Sequence, residues 1–186
     1  MKVVLLQGSP RKKGNTASLA ESLLKGMMND PELKVERIFL HDMKILPCRG
    51  CNKCHKVLEP ACVIKDDMSE IYPKILDADI LIMASPVYWW NISAQLKLAI
   101  DRMNALLYGE DYTNFKGKKI VLVATYEGED PNSGPRHIES IFRDIADFTG
   151  MEVTAAISVC TCGKSVKENA EALGKAYETG KSLIVR

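Results

Sequence analysis

Val3-Val4-Leu5-Leu6-Gln7-Gly8-Ser9-Pro10-Arg11-Lys12-Lys13-Gly14-Asn15-Thr16 carries an apolar strand into a polar, glycine-punctuated loop and on into a helix that starts near Asn15. At a helix start the first backbone N–H groups lack intrahelical partners and the macrodipole adds partial positive charge, so geometry and field together favour a phosphate. Ser9, Asn15 and Thr16 add side-chain donors, and Arg11, Lys12 and Lys13 raise the local potential. A Lys/Arg run is most often a solvated loop; of the three, Arg11 is assigned a direct phosphate contact. Five residues separate Gly8 from Gly14 and Asn15-Thr16 follows, so this is not a Walker A loop, and G-x-G-x-x-G is absent, which argues against a Rossmann dinucleotide turn. A mononucleotide phosphate fits better.

Outward from this turn, short β-branched runs alternate with longer helical patterns, the arrangement that builds a parallel sheet covered by helices. Five strands are expected at Lys2-Gln7, Leu33-Leu40, Asp79-Ala84, Lys118-Thr125 and Glu152-Val159, each apolar enough to be buried on both faces. Helical stripes run over residues 15–28 (Leu19, Leu23, Met27), 93–106 (Leu96, Ile100, Met103), 136–149 (Ile138, Ile141, Ile145, Phe148) and 166–183 (Val166, Ala170, Leu173, Tyr177). Each stripe reads as core, and Lys97 and Asp101 are spaced for an i,i+4 pair. The expectation is an α/β, flavodoxin-like, doubly wound five-stranded parallel sheet of order 2-1-3-4-5. Its ligand site would lie beyond the carboxyl ends of the strands, in the loops Gly8-Thr16, Ser85-Asn91 and Tyr126-Gly134.

Residues 1–186 are read as a single domain with a Cys-rich insertion at about 46–66, and no repeat or linker interrupts them. Twenty-five basic against 24 acidic residues give a formal net charge of +1 with no long run of either sign. Nucleic acid and an anionic membrane are therefore not expected partners. No stretch approaches the roughly 20 apolar residues of a membrane span, and residues 1–7 read as a core strand rather than a basic leader, so the expected location is cytoplasmic. Six cysteines in that setting point to reduced thiols or a metal site.

Ser85-Pro86-Val87-Tyr88-Trp89-Trp90-Asn91 sets three consecutive aromatic residues beyond a buried strand, where small polar turn residues are usual. Such a loop covers something planar or packs on a second subunit. Asn91 or Ser93 is expected to cap the next helix. The pair Gly8-Ser9-Pro10-Arg11-x-x-Gly14-Asn15-Thr16 and Ser85-Pro86-Val87-Tyr88-Trp89-x-Asn91-x-Ser93-x-x-x-Lys97, followed by Asp101-Arg102, resembles the NADPH-dependent FMN reductase family over nearly the entire chain. The resemblance implies FMN, with Ser9, Arg11, Gly14, Asn15 and Thr16 on its phosphate and Pro86, Val87, Tyr88, Trp89 and Asn91 along the isoalloxazine. Thr125, Tyr126, Glu127 and Gly128 would approach the ring or ribityl, although Tyr126-Glu127 departs from the small, glycine-rich version usual in relatives.

Cys48-Arg49-Gly50-Cys51-Asn52-Lys53-Cys54 with Cys62 gives the spacing C-x2-C-x2-C-x7-C, which resembles the motif by which iron-sulfur flavoproteins hold a [4Fe-4S] cluster. Zinc also accepts four thiolates, His55 is a fifth candidate ligand, and free or redox-active thiols are the third reading. Cys160 and Cys162, at the end of the fifth strand, read first as small buried residues, with a redox role as the second reading. His41 and His137 read as surface or cap residues.

The resemblance implies an FMN-dependent oxidoreductase that moves electrons from NAD(P)H or a reduced ferredoxin to a quinone, a free flavin or another small acceptor, with the chemistry centred on the flavin and no separate acid–base pair. A non-catalytic electron carrier serving a protein partner is the alternative, and a cofactor-free interaction module is a third. The apolar and reactive surface of the aromatic and cysteine loops points to a homodimer or homotetramer.

Overall fold

The computed structural model describes residues 1–56, 62–107, 114–128 and 134–184. Parts of the expected third loop and of the cysteine insertion, residues 129–133 and 57–61, lie outside these. Five parallel strands, β1 (Lys2–Gln7), β2 (Lys34–Phe39), β3 (Ile80–Pro86), β4 (Lys119–Tyr126) and β5 (Glu152–Cys160), pair in the order β2-β1-β3-β4-β5. The flavodoxin-like expectation is met, each strand within two residues of its expected bounds at either end. The helices are α1 (Asn15–Met27), α2 (Met68–Asp77), α3 (Ala94–Arg102), α4 (Pro135–Thr149) and α5 (Ala170–Ile184).

Alternation along the central strands splits the core in two. Val3 and Leu5 join Ile80, Ile82, Val121 and Val123 under α1 and α5, whereas Val4 and Leu6 join Leu81, Met83, Ile120 and Leu122 under α2, α3 and α4. Leu19, Leu23 and Met27 of α1 are fully buried, each contributing about 1.5–3 kcal/mol of apolar transfer. The α1–α5 crossing is set by two glycines: a Cβ on Gly26 would stand 2.0 Å from the Tyr177 carbonyl oxygen, and one on Gly180 2.0 Å from that of Leu23. Only hydrogen at both positions lets the backbones approach this closely.

Several packing expectations need correction. β3 is buried along its whole length, but β2 and β5 are edge strands with many half-buried or exposed positions, because each has a neighbour on one side only. The α4 core face is Ile138, Phe142 and Ala146, while Ile141 is 37% and Phe148 61% exposed. On α5 the buried set is Ala172, Ala176 and Gly180, and Ala170 is exposed. Helix α2 is additional to the expected set; Pro73 inside it reads as a breaker in sequence. The 93–106 helix divides into α3 and a 3-10 turn over Met103–Leu106, and Val166–Glu168 forms a separate 3-10 turn ahead of α5. Lys97 and Asp101 form the expected pair at 2.5 Å.

Candidate functional site

The loops after β1, β3 and β4 converge on a cleft of about 320 Å³ at the carboxyl edge of the sheet. Ser9, Arg11, Gly14, Asn15 and Thr16 form its first wall. Gly8 leaves β1 with its N–H on the Ala84 carbonyl (2.8 Å), and its own carbonyl accepts the Ser93 hydroxyl (2.8 Å). A Cβ on Gly8 would stand 2.6 Å from Ser93 Oγ and 2.7 Å from Leu96 Cβ, so glycine is what lets the loop pass against α3. The turn closes through Arg11 N–H on Ser9 Oγ (3.2 Å) and Gly14 N–H on the Arg11 carbonyl (3.1 Å).

Gly14 is the N-cap of α1 and has no side chain to accept the first N–H groups, and no acid sits in the first turn. The start of α1 therefore faces the cleft with its donors and dipole uncompensated by its own sequence, the arrangement that suits an anion. Thr16 is buried, its hydroxyl 2.7 Å from that of Thr125, which joins the first wall to the third. Asn15 Oδ1 accepts the Val166 N–H (3.1 Å). The basic residues separate: Lys12 pairs with Asp42 and lies 4.9 Å over the Phe39 ring, while Arg11 lines the cleft.

Pro86, Val87 and Tyr88 make the second wall, anchored by Val87 N–H on the Thr125 carbonyl (2.8 Å). Tyr88 and Asn91 exchange backbone hydrogen bonds of 2.8 and 3.0 Å around a two-residue turn that places Trp89 at φ +48° and Trp90 at φ +60°. For bulky residues the left-handed region costs about 1–2 kcal/mol each, and such strain gathers at functional sites. The turn holds both indoles outward, Trp89 89% and Trp90 54% exposed, with ring centroids 6.1 Å apart. Gly134, at φ +103°, backs it: a Cβ there would stand 2.7 Å from Val87 Cγ1 and 2.9 Å from Trp90 Cα. Trp89 and Asn91 thus stand at the tip of the loop rather than on the cleft wall. Ser93, not Asn91, caps α3, accepting the Leu96 N–H at 3.4 Å.

The third wall is Thr125, Tyr126, Glu127 and Thr161. Thr161 is the residue that sequence reading missed; it gives both its N–H (2.8 Å) and its hydroxyl (3.1 Å) to the Tyr126 carbonyl. The order 2-1-3-4-5 contained the signal, because it sets the end of strand 5 beside the third loop. Gly128 lies behind this wall, against Cys160 and Cys162. Contrary to the buried reading, Cys160 is half-buried and Cys162 exposed.

The cysteine loop leaves the core at Leu46 and returns at Asp66, where Arg102 at the end of α3 holds both stems. Cys48 and Cys51 are exposed, and Cys54 and Cys62 half-buried. Burial pushes the Cys54 thiol up against the opposing pull of its own backbone hydrogen bond, and Cys62, Cys48 and Cys51 each push it further. Soft donors of that number suit a thiolate-held cluster or zinc, although among the described residues no three His, Cys, Asp or Glu side chains gather as a metal-binding group. Asn104 reaches towards Cys54 Sγ (3.7 Å) and His55 Nε2 (3.0 Å), tying the loop to the chain beyond α3. An apolar cavity of about 570 Å³ lies between this loop and the ends of α3 and α4, with Ile145 and Phe148 on its far side. His41 sits edge-on to Phe39 near Gln95, and His137 is exposed in the first turn of α4.

A doubly wound sheet of this order, with a ligand cleft at the carboxyl ends of β1, β3 and β4, defines a flavodoxin-like domain. The chain belongs to the NADPH-dependent FMN reductase family, whose profile matches residues 1–160. It is 39% identical over 128 residues to an iron-sulfur flavoprotein of Methanocaldococcus jannaschii, covering 69% of this chain and 65% of the relative. It is 34% identical over 153 residues to an iron-sulfur flavoprotein of Methanosarcina thermophila, covering 82% and 76%. The chain thus spans less than two thirds of several curated relatives it matches, 65%, 56% and 60% of their lengths. Among solved structures, the NAD(P)H:quinone oxidoreductase from Methanothermobacter marburgensis superposes with a TM-score of 0.74 at 19% identity, covering 100% of this chain and 97% of that one, a likeness of fold.

Proposed function

We propose that this chain is an FMN-dependent oxidoreductase that takes electrons from NAD(P)H or a reduced carrier such as ferredoxin and passes them to a quinone, a flavin or another small acceptor. The observation that carries the reading is the uncapped start of α1 opening onto the same cleft as the loops after β3 and β4. Ser9, Arg11, Gly14, Asn15 and Thr16 hold the phosphate. Pro86, Val87 and Tyr88 line the isoalloxazine with Trp89 and Asn91 at the loop tip beside them, and Thr125, Tyr126 and Glu127 close the ring or ribityl side with Gly128 behind them. FMN, when bound, supplies both two-electron and one-electron transfer. The protein's residues fix its orientation, keep water from one face and regulate approach to the other.

Residues 1–186 form one flavodoxin-like domain, the cysteine stretch at about 46–66 being an insertion, and the location is cytoplasmic. Among the described residues no helix is long and apolar enough to cross a membrane. Cys48, Cys51, Cys54 and Cys62 hold a [4Fe-4S] cluster in this reading, supported by donor type, spacing and the names of the relatives. The exposed Trp89, Trp90 and Phe148 support a homodimer or homotetramer. Turnover of NADPH with menadione by anaerobically purified protein, with iron and acid-labile sulfide assays on the same sample, tests the reading. A reductase turns over without a second protein, whereas an electron carrier shows almost no turnover.

A further inference from the structure

Two thiols outside the four-cysteine loop share a single residue as partner. Gly128 donates its N–H to Cys162 Sγ at 2.9 Å, and Cys160 Sγ donates to the Gly128 carbonyl at 3.5 Å. The Cys162 N–H also donates to Cys160 Sγ at 3.4 Å. Gly128 sits at φ +113°, a conformation that glycine alone adopts without strain. Thr161, between the two, is fixed by two hydrogen bonds to the Tyr126 carbonyl and lines the cleft. An exposed sulfur two residues from a half-buried one, both hydrogen-bonded to one residue, gives thiol–disulfide exchange an accessible attacking thiol and a neighbouring resolving thiol.

We propose that Cys160 and Cys162 form a redox-active dithiol that low-molecular-weight disulfides oxidise, and that closing this disulfide resets the third wall of the cleft. Cys162, as its thiolate, attacks one sulfur of R–S–S–R, forming a mixed disulfide and expelling RS⁻. Cys160, as its thiolate, then attacks the Cys162 sulfur, forming the Cys160–Cys162 bond and expelling the second RS⁻. The dithiol loses two electrons and two protons, and R–S–S–R becomes two RSH. In the product Cys160 has no S–H for the Gly128 carbonyl, and Cys162 Sγ turns from the Gly128 N–H to its new partner. Gly128 thereby loses both sulfur ties to the end of β5, which frees the stretch that follows Tyr126. Neither the oxidation nor the wall movement depends on the FMN reading; only their effect on cofactor affinity rests on it.

The test uses the full chain incubated with excess oxidised glutathione, alkylated and digested with trypsin. Residues 144–164 form one tryptic peptide that contains Cys160, Cys162 and no other cysteine. The expected peptide is lighter by two hydrogens, unalkylated and free of glutathione, and dithiothreitol restores it; Cys160→Ser instead retains glutathione on Cys162. Hydrogen exchange at residues 126–128 becomes faster in the oxidised protein and stays unchanged in the Cys160→Ser/Cys162→Ser double variant. A peptide alkylated at both cysteines, or carrying glutathione on both, overturns the dithiol. A disulfide with unchanged exchange at 126–128 overturns the movement of the wall. An FMN titration of the same samples is expected to show an affinity shift of about fivefold or more on oxidation, the low end of common site-to-site coupling. If the reduced protein binds no FMN while the disulfide forms and exchange rises, the cofactor reading fails and the dithiol stands.

Discussion

Arg102 and Asp66 form a two-pronged ion pair, Nη1 to Oδ2 at 2.5 Å and Nη2 to Oδ1 at 3.1 Å, with 1% and 0% of their side chains exposed. The same groups hold both stems of the cysteine loop: Arg102 Nη1 donates to the Leu46 carbonyl (2.8 Å), and the N–H groups of Leu46 (2.9 Å) and Met68 (3.2 Å) donate to Asp66. Tyr72 closes the cluster, its hydroxyl donating to the Arg102 carbonyl (3.2 Å). The stems of the cysteine loop are thus held by a buried electrostatic knot, while Cys54 and Cys62 also pack against the apolar core.

Breaking one side of this knot strands a charge. Arg102→Met is expected to destabilise the protein by about 3–5 kcal/mol, whereas Arg102→Met/Asp66→Leu recovers most of the loss, because the desolvation cost disappears with both charges. Urea unfolding of the two variants checks this; equal destabilisation would show that the pair contributes packing alone.

The knot also has a pH dependence. Burial raises the Asp66 carboxyl, but the hydrogen bonds from Arg102, Leu46 and Met68 and the Arg102 charge outweigh it and hold the carboxyl below its ordinary value. Its stabilisation is therefore complete above the unfolded value of about 3.9 and is lost as pH falls through the lower folded value. Stability measured from pH 5 down to pH 2 should fall for the parent protein and fall less steeply for Asp66→Asn.

The first wall separates two neighbouring cations. Arg11→Ala should weaken FMN binding about tenfold, the loss of one charge-assisted hydrogen bond. Lys12→Ala should leave it within about twofold, because Lys12 is engaged by Asp42 and Phe39. Fluorescence titrations of the two variants distinguish them.

Strain in the Trp89-Trp90 turn is expected to trade stability for function. Replacing the pair by Asn-Gly, which accepts this turn without strain, should raise stability by about 1–2 kcal/mol. Turnover of NADPH with menadione should fall in the same variant, and undiminished turnover would remove the aromatic pair from the site.

A matched pair of substitutions on α5 tests the helix crossing. Gly180→Ala drives a methyl into the Leu23 carbonyl and should cost about 1–3 kcal/mol. Gly174→Ala, with nothing within 4 Å of the added Cβ, should gain about 0.5–1 kcal/mol. Thermal denaturation ranks them.

The strand-to-loop stretch through Gly8 was legible because an apolar run, a glycine and a helix start are local signals, and the strand order followed from their repetition. The Trp turn was not: Trp carries no preference for positive φ, so only the Tyr88–Asn91 ladder and the space under Gly134 impose it. The α4 core face was misread because Ile141 and Phe148 share the helical spacing of Ile138 and Ile145, and only the placement of the neighbouring elements decides which arc is covered. Thr161 and the Arg102–Asp66 pair arise from residues distant in sequence, 35 positions from Tyr126 and 36 between the two charges, which periodicity does not register.

The central claim is that the turn after β1 seats the phosphate of FMN. Parallel titrations of the cofactor-stripped protein with FMN and with riboflavin, which differ only by that phosphate, test it most directly. The account predicts one-to-one FMN binding and riboflavin binding about a hundredfold or more weaker, the loss of at least two charge-assisted hydrogen bonds. Equal affinity for the two, or none for either, would contradict it.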